Sequence, residues 1–242
     1  MDRAFKYSEK CLHNTRMVFL IINVTHYFSA LYYYSTQTFW INLEYLTFWG
    51  WSLVTMFLFC AVFFKPRSKR MLVFTSAIHH SAFTIQIFIV LMFWGALLPS
   101  VFLGFDGNSL PSGPYSLYMG FFEHSFPAFC IVYDYCISCI RYKRHGWAAH
   151  TGIVIAYVVL STLMYNIFGI FIYPTPLSDF KDWTTYAAMV VWVILNIVLS
   201  YFLMSLKNEW NRKMDYRVRK ELSERIISGE LTTKAEVRHV TQ

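Results

Sequence analysis

Charge is what this 242-residue chain has least of: Asp, Glu, Lys and Arg together make up 14%, while 56% of the residues are hydrophobic. Soluble domains carry roughly a quarter of their residues as charges, so water is excluded as the solvent for most of this chain. Cysteine is also sparse. Cys11, Cys60, Cys130, Cys136 and Cys139 follow neither the spacing of a disulfide framework nor that of a zinc site, and they read as reduced thiols. No basic stripe with interleaved aromatics occurs, so the net charge of +7 does not mark a nucleic-acid footprint. Period-2 alternation, which a membrane barrel requires, is missing as well. Neither an internal repeat nor a ring of charges points to a transporter or channel. No small-residue cleavage site follows the first apolar run, which is therefore expected to stay as a signal-anchor.

What is abundant is apolar and aromatic. Stretches long enough to cross a hydrocarbon core run over 17–35, 42–64, 72–98, 115–139, 148–172 and 183–204. Each is predicted to be a helix, because a strand open to lipid leaves its backbone unpaired. The expectation is an all-α membrane protein, a bundle of six transmembrane helices over residues 1–206, followed by a tail over 207–242. The connectors sort by charge. Arg3, Lys6, Lys10 and Arg16 precede the first span, Lys65, Arg67, Lys69 and Arg70 follow the second, and Arg141, Lys143 and Arg144 follow the fourth. The alternate connectors are acidic or neutral, which places both termini in the cytosol. The basic tail reads either as amphipathic helices against an anionic leaflet or as a plain solvated stop-transfer segment. Neither end carries a retention or sorting signal, which leaves the endoplasmic reticulum and the plasma membrane both open.

Ionisable groups inside a span cost roughly 2.5 to 3.5 kcal/mol on insertion scales, so those present tend to face the bundle interior and to have a role there. Two layers emerge from helical rise. Thr47 and His124 both fall ~26 Å above the cytosolic boundary, near the outer surface, whereas His26, His80 and Asp134 fall ~10 to 15 Å from the cytosolic side. The outer layer joins a hydroxyl and an imidazole, the minimum for nucleophilic catalysis in which histidine takes the proton from an attacking oxygen. The bland alternative is that the threonine bonds its own backbone and the histidine packs helices. Gly50, one turn below Thr47, either leaves room for an acyl chain or lets a neighbouring helix approach. Gly50, Trp51 and Glu123 are the candidate substrate contacts. In the inner layer, His26, His80 and Asp134 read as structural polar groups, with a hydrogen bond expected from His80 to Asp134. His26, His79, His80 and Asp134 do not form a convincing metal or haem site, because span two supplies no histidine. No metal or other cofactor is expected.

Leu46-Thr47-Phe48-Trp49, His124 two spans later, and Gly169-Ile170-Phe171-Ile172-Tyr173-Pro174 resemble the androgen-induced family of membrane threonine hydrolases. The resemblance covers spans two to five. It implies a six-span fold and cleavage of fatty acid esters of hydroxy fatty acids, with Thr47 as nucleophile and His124 as its base. Membrane lipids and a lipid ester are then the expected partners. Pro127 stands three positions after His124, where that family typically has a proline five positions on. Thr47-Phe48-Trp49-Gly50 and the spacing from His124 to Asp134 are equally similar to the rolling-stone group, which is associated with myoblast fusion. That likeness implies a non-enzymatic membrane protein acting in cell fusion or adhesion.

Overall fold

The computed structural model of the chain describes residues 9–35, 46–64, 69–97, 114–138, 140–168 and 183–227. All regular structure among them is helical: α1 (Glu9–Ser35), α2 (Leu46–Phe63), α3 (Lys69–Met92), α4 (Pro114–Ile137), α5 (Arg144–Phe168) and α6 (Trp183–Ile227). A π-helical turn, Phe93–Leu97, extends α3. Proline opens α4 at a position where its missing N–H leaves no bond unmade, while Pro127 lies inside the same helix, where it removes one bond from the ladder. The chain divides into two compact units, Met1–Met204 and Ser205–Gln242, and the division falls within α6.

The six helices correspond to the six apolar runs. Four segments are long and apolar enough to cross a membrane: Leu46–Phe63, Arg70–Gly95, Arg144–Ile167 and Trp183–Arg217. The first and fourth predicted spans are helical but lie outside this set. The reason is compositional: α1 carries Arg16, Asn23 and His26, and α4 carries Glu123, His124 and Asp134 amid several tyrosines. Polar groups in such helices need partners inside the protein, and the contacts below supply them. Pro174 and the rest of the 169–182 connector, together with the 36–45 and 98–113 connectors, lie outside the described residues.

Burial separates the helices of the first unit into interior and periphery. The apolar windows of α2 and α3 are 56% and 61% buried, against 22% each for α5 and α6. Val54, Phe57, Leu58, Ile85 and Ile131 form the fully enclosed centre, shared by α2, α3 and α4. On α5 the exposed residues Ile155, Val159 and Leu163 recur every four positions. An outward stripe of branched aliphatics is what a helix presents to lipid rather than water.

The candidate outer site and the inner polar network

Hydroxyls at Ser52, Thr55, Thr84, Thr151 and Thr162 close on carbonyls four residues back in their own helices. Thr47 directs its hydroxyl across to another helix. Its Oγ1 lies 3.4 Å from Nδ1 of His124, a contact between α2 and α4 at the long end of the hydrogen-bond range. The Phe93 ring, at the π-turn that ends α3, stacks on the His124 imidazole with centroids 3.9 Å apart and planes at 17°. Three helices thus position the pair: α2 brings the hydroxyl, α4 the imidazole, and α3 the ring that holds the imidazole plane. A neutral imidazole with Nδ1 unprotonated accepts the threonine proton in this arrangement, which is the polarity that nucleophilic attack requires.

Of the candidate substrate contacts, Gly50 and Trp51 are packed into helix interfaces. Gly50 does not leave a space for an acyl chain: a Cβ there would come within 2.7 Å of Ile89 Cδ1 and 3.0 Å of both Gln86 Nε2 and Ile85 Cγ2. The glycine is the close approach of α2 to α3. Trp51 is fully buried, and its indole Nε1 donates to Asn23 Oδ1 at 2.9 Å, so it ties α2 to α1 and is walled in by Tyr27 and Phe122. Asn23 in turn donates to the Phe19 carbonyl at 2.8 Å. Glu123 is buried, about 100° round the helix from His124.

The inner layer forms a continuous network with a different pairing from the one expected. Asp134 does not bond His80. It accepts from Arg16 Nε at 2.7 Å and Nη2 at 3.0 Å, and its Oδ2 lies 3.2 Å from His79 Nε2. Helical phase explains the exchange, since adjacent residues project about 100° apart. His79 therefore faces α2 and α4, where its ring also meets Phe57, and its Nδ1 is 2.6 Å from the Tyr142 hydroxyl. His80 faces α5 and α6: Nε2 is 3.1 Å from both the hydroxyl and the carbonyl oxygen of Ser200, and its ring stacks on Tyr142 and lies near His150. Gly146 makes this possible, because a Cβ at that position would sit 2.9 Å from His80 Nδ1. His26 bonds the Ile22 carbonyl at 3.0 Å and stacks on Phe122, a structural placement on α1. No group of three or more His, Cys, Asp or Glu side chains among the described residues has the arrangement of a metal site.

Sequence reasoning missed Arg16, Tyr142 and Phe93. Arg16 reads from the sequence as a boundary charge; the signal that could have paired it with Asp134 is the reach of its long side chain, which lets a guanidinium at a helix end meet an opposite charge deeper in the bundle. Phe93 had none, because one aromatic among 23 phenylalanines is not distinguishable by pattern. No family model matches the chain, and neither a curated protein nor a solved structure is found to match it.

Proposed function

We propose that this protein is an integral-membrane lipid esterase in which Thr47 is the nucleophile and His124 the general base. The observation that carries the proposal is the 3.4 Å approach of Thr47 Oγ1 to His124 Nδ1, made by residues 77 positions apart on two helices. In the reaction, His124 Nδ1 takes the threonine proton as Oγ1 attacks the ester carbonyl carbon, then returns it to the departing alcohol. Water, activated by the same imidazole, hydrolyses the acyl-threonine. A loose hydroxyl-to-imidazole contact in the free protein is compatible with this chemistry, since such bonds tighten when substrate binds. The resemblance to the androgen-induced family favours fatty acid esters of hydroxy fatty acids as substrates, entering sideways from the bilayer.

The proposal includes a topology: six spans, multi-pass, with both termini in the cytosol and the Thr47–His124 pair toward the outer leaflet. The endoplasmic reticulum and the plasma membrane are the two membranes it fits. Labelling in membranes with an acyl fluorophosphonate, which reacts with activated serine and threonine hydroxyls, tests the chemistry. Adduct formation is expected in the unaltered chain and lost in both Thr47→Ala and His124→Ala at matched expression. Labelling unchanged by both substitutions would assign the pair to helix packing and favour the non-enzymatic fusion or adhesion role.

A further inference from the structure

His79, Gln86 and Phe93 recur at seven-residue spacing on α3 and so share one face of it. Both ends of that face are tied to α4: His79 meets Asp134, and Phe93 stacks on His124. These two contacts run in opposite directions along the two helices, so Gln86 falls midway between them, near the level of Phe129 and beneath the Thr47–His124 pair. Gln86 is fully buried, and neither its Nε2 nor its Oε1 has a hydrogen-bond partner among the described residues. A buried amide with both ends unmade is strongly unfavourable, whereas leucine would fill the same volume without that penalty. The amide is therefore left to pair with a group that the described side chains and backbone do not supply. Its Nε2 lies 3.0 Å from where a Gly50 Cβ would be, so the bare glycine admits the amide against α2 one turn below Thr47.

We propose that the Gln86 amide donates to the carbonyl oxygen of the bound ester, which makes it a third catalytic residue beside Thr47 and His124. This rests on the esterase reading above. As Thr47 Oγ1 bonds to the carbonyl carbon, its proton passes to His124 Nδ1 and the C=O π pair moves onto oxygen. Gln86 Nε2–H holds the resulting oxyanion. The pair then re-forms the carbonyl, the C–O bond to the alcohol breaks, and His124 returns the proton to the leaving oxygen. A donor already in place and shielded from water stabilises that charge without reorganising at the moment of reaction.

The test uses the full chain in lipid nanodiscs and a long-chain acyl ester of 4-methylumbelliferone as probe. Gln86→Leu is expected to lower kcat by about 10²–10³-fold, the usual effect of removing one oxyanion donor. Its KM should stay close to that of the unaltered protein and its thermal midpoint should hold or rise, because the unpaired amide is gone. Thr47→Ala should abolish turnover. If Gln86→Leu keeps its kcat while Thr47→Ala is inactive, the role of Gln86 is overturned and the esterase stands. A Gln86→Leu protein that loses its fold, or whose defect is confined to KM, overturns that role equally. Turnover indifferent to Thr47→Ala, or absent from the unaltered protein, overturns both.

Discussion

At the scale of single residues, the Arg16–Asp134 pair illustrates how a nearly lipid-immersed chain handles charge. The Asp134 side chain is 2% exposed and Arg16 16%, so each is the other's main replacement for water. An ion taken from water into a low-dielectric interior is held there only by close, well-oriented partners, and this carboxylate has two guanidinium N–H donors and an imidazole. Removing one member strands the other. Asp134→Ala is expected to destabilise the fold by about 3–5 kcal/mol, while Arg16→Met with Asp134→Leu together should restore most of that loss. Thermal unfolding of the purified single and double variants measures it, and a double variant no better than Asp134→Ala would show that the charges themselves are required. The presence of a buried polar residue at depth was legible in the sequence for Asp134. Its partner was not, because His79 and His80 are neighbours in the chain and only the rotation of α3 decides which of them faces α4.

At the scale of elements, two glycines in helices behave in opposite ways. Gly50 sits where α2 and α3 meet, with Ile85, Gln86 and Ile89 closing the space a side chain would take. Gly152 on α5 has nothing within 4 Å of its would-be Cβ. Intrinsic helix propensity favours alanine over glycine by roughly 0.5–1 kcal/mol at either position. At Gly50 that gain is opposed by overpacking, which typically costs about 1–3 kcal/mol. The thermal midpoint is therefore expected to fall for Gly50→Ala and to rise for Gly152→Ala, with circular dichroism in detergent as the measurement. A Gly50→Ala midpoint above that of the unaltered protein would mean that α2 and α3 separate at little cost. The sequence left both uses of Gly50 open, an acyl pocket or a helix contact. The packed α2–α3 interface selects the second.

At the scale of the whole molecule, the number of crossings decides where the connectors lie. With six spans, the segments around Arg67 and Lys143 share the cytosolic side with both termini. If only the four most apolar segments crossed, α4 and the connector after it would stay on one face, and Arg67 and Lys143 would lie on opposite sides of the bilayer. Single cysteines at Arg67→Cys and Lys143→Cys, in a chain otherwise free of cysteine, distinguish the two. Both are expected to resist a membrane-impermeant maleimide in intact cells and to react once digitonin has opened the plasma membrane alone, a treatment that leaves a site in the lumen of the endoplasmic reticulum protected. Labelling of either one in intact cells would refute the six-span arrangement. Inside the first unit, Ser76 Oγ donates to the Arg141 carbonyl at 2.8 Å and His79 meets Tyr142, which sets the connector between α4 and α5 beside the N-terminal half of α3.

Composition and run length were enough to determine that the described residues are helical, in six helices, and that several of these are long and apolar enough to cross a membrane. The bilayer imposes those features residue by residue, through burial of the backbone and the insertion cost of charge. Which helix faces meet was decided only by the tertiary structure. A helix in lipid is apolar on nearly every side, so the periodicity that reveals the buried face of a soluble helix is weak. The facing of Thr47 and His124, the choice of His79 over His80 by Asp134, and the buried amide of Gln86 all follow from helix rotation and register. Those are settled by side-chain packing between distant segments.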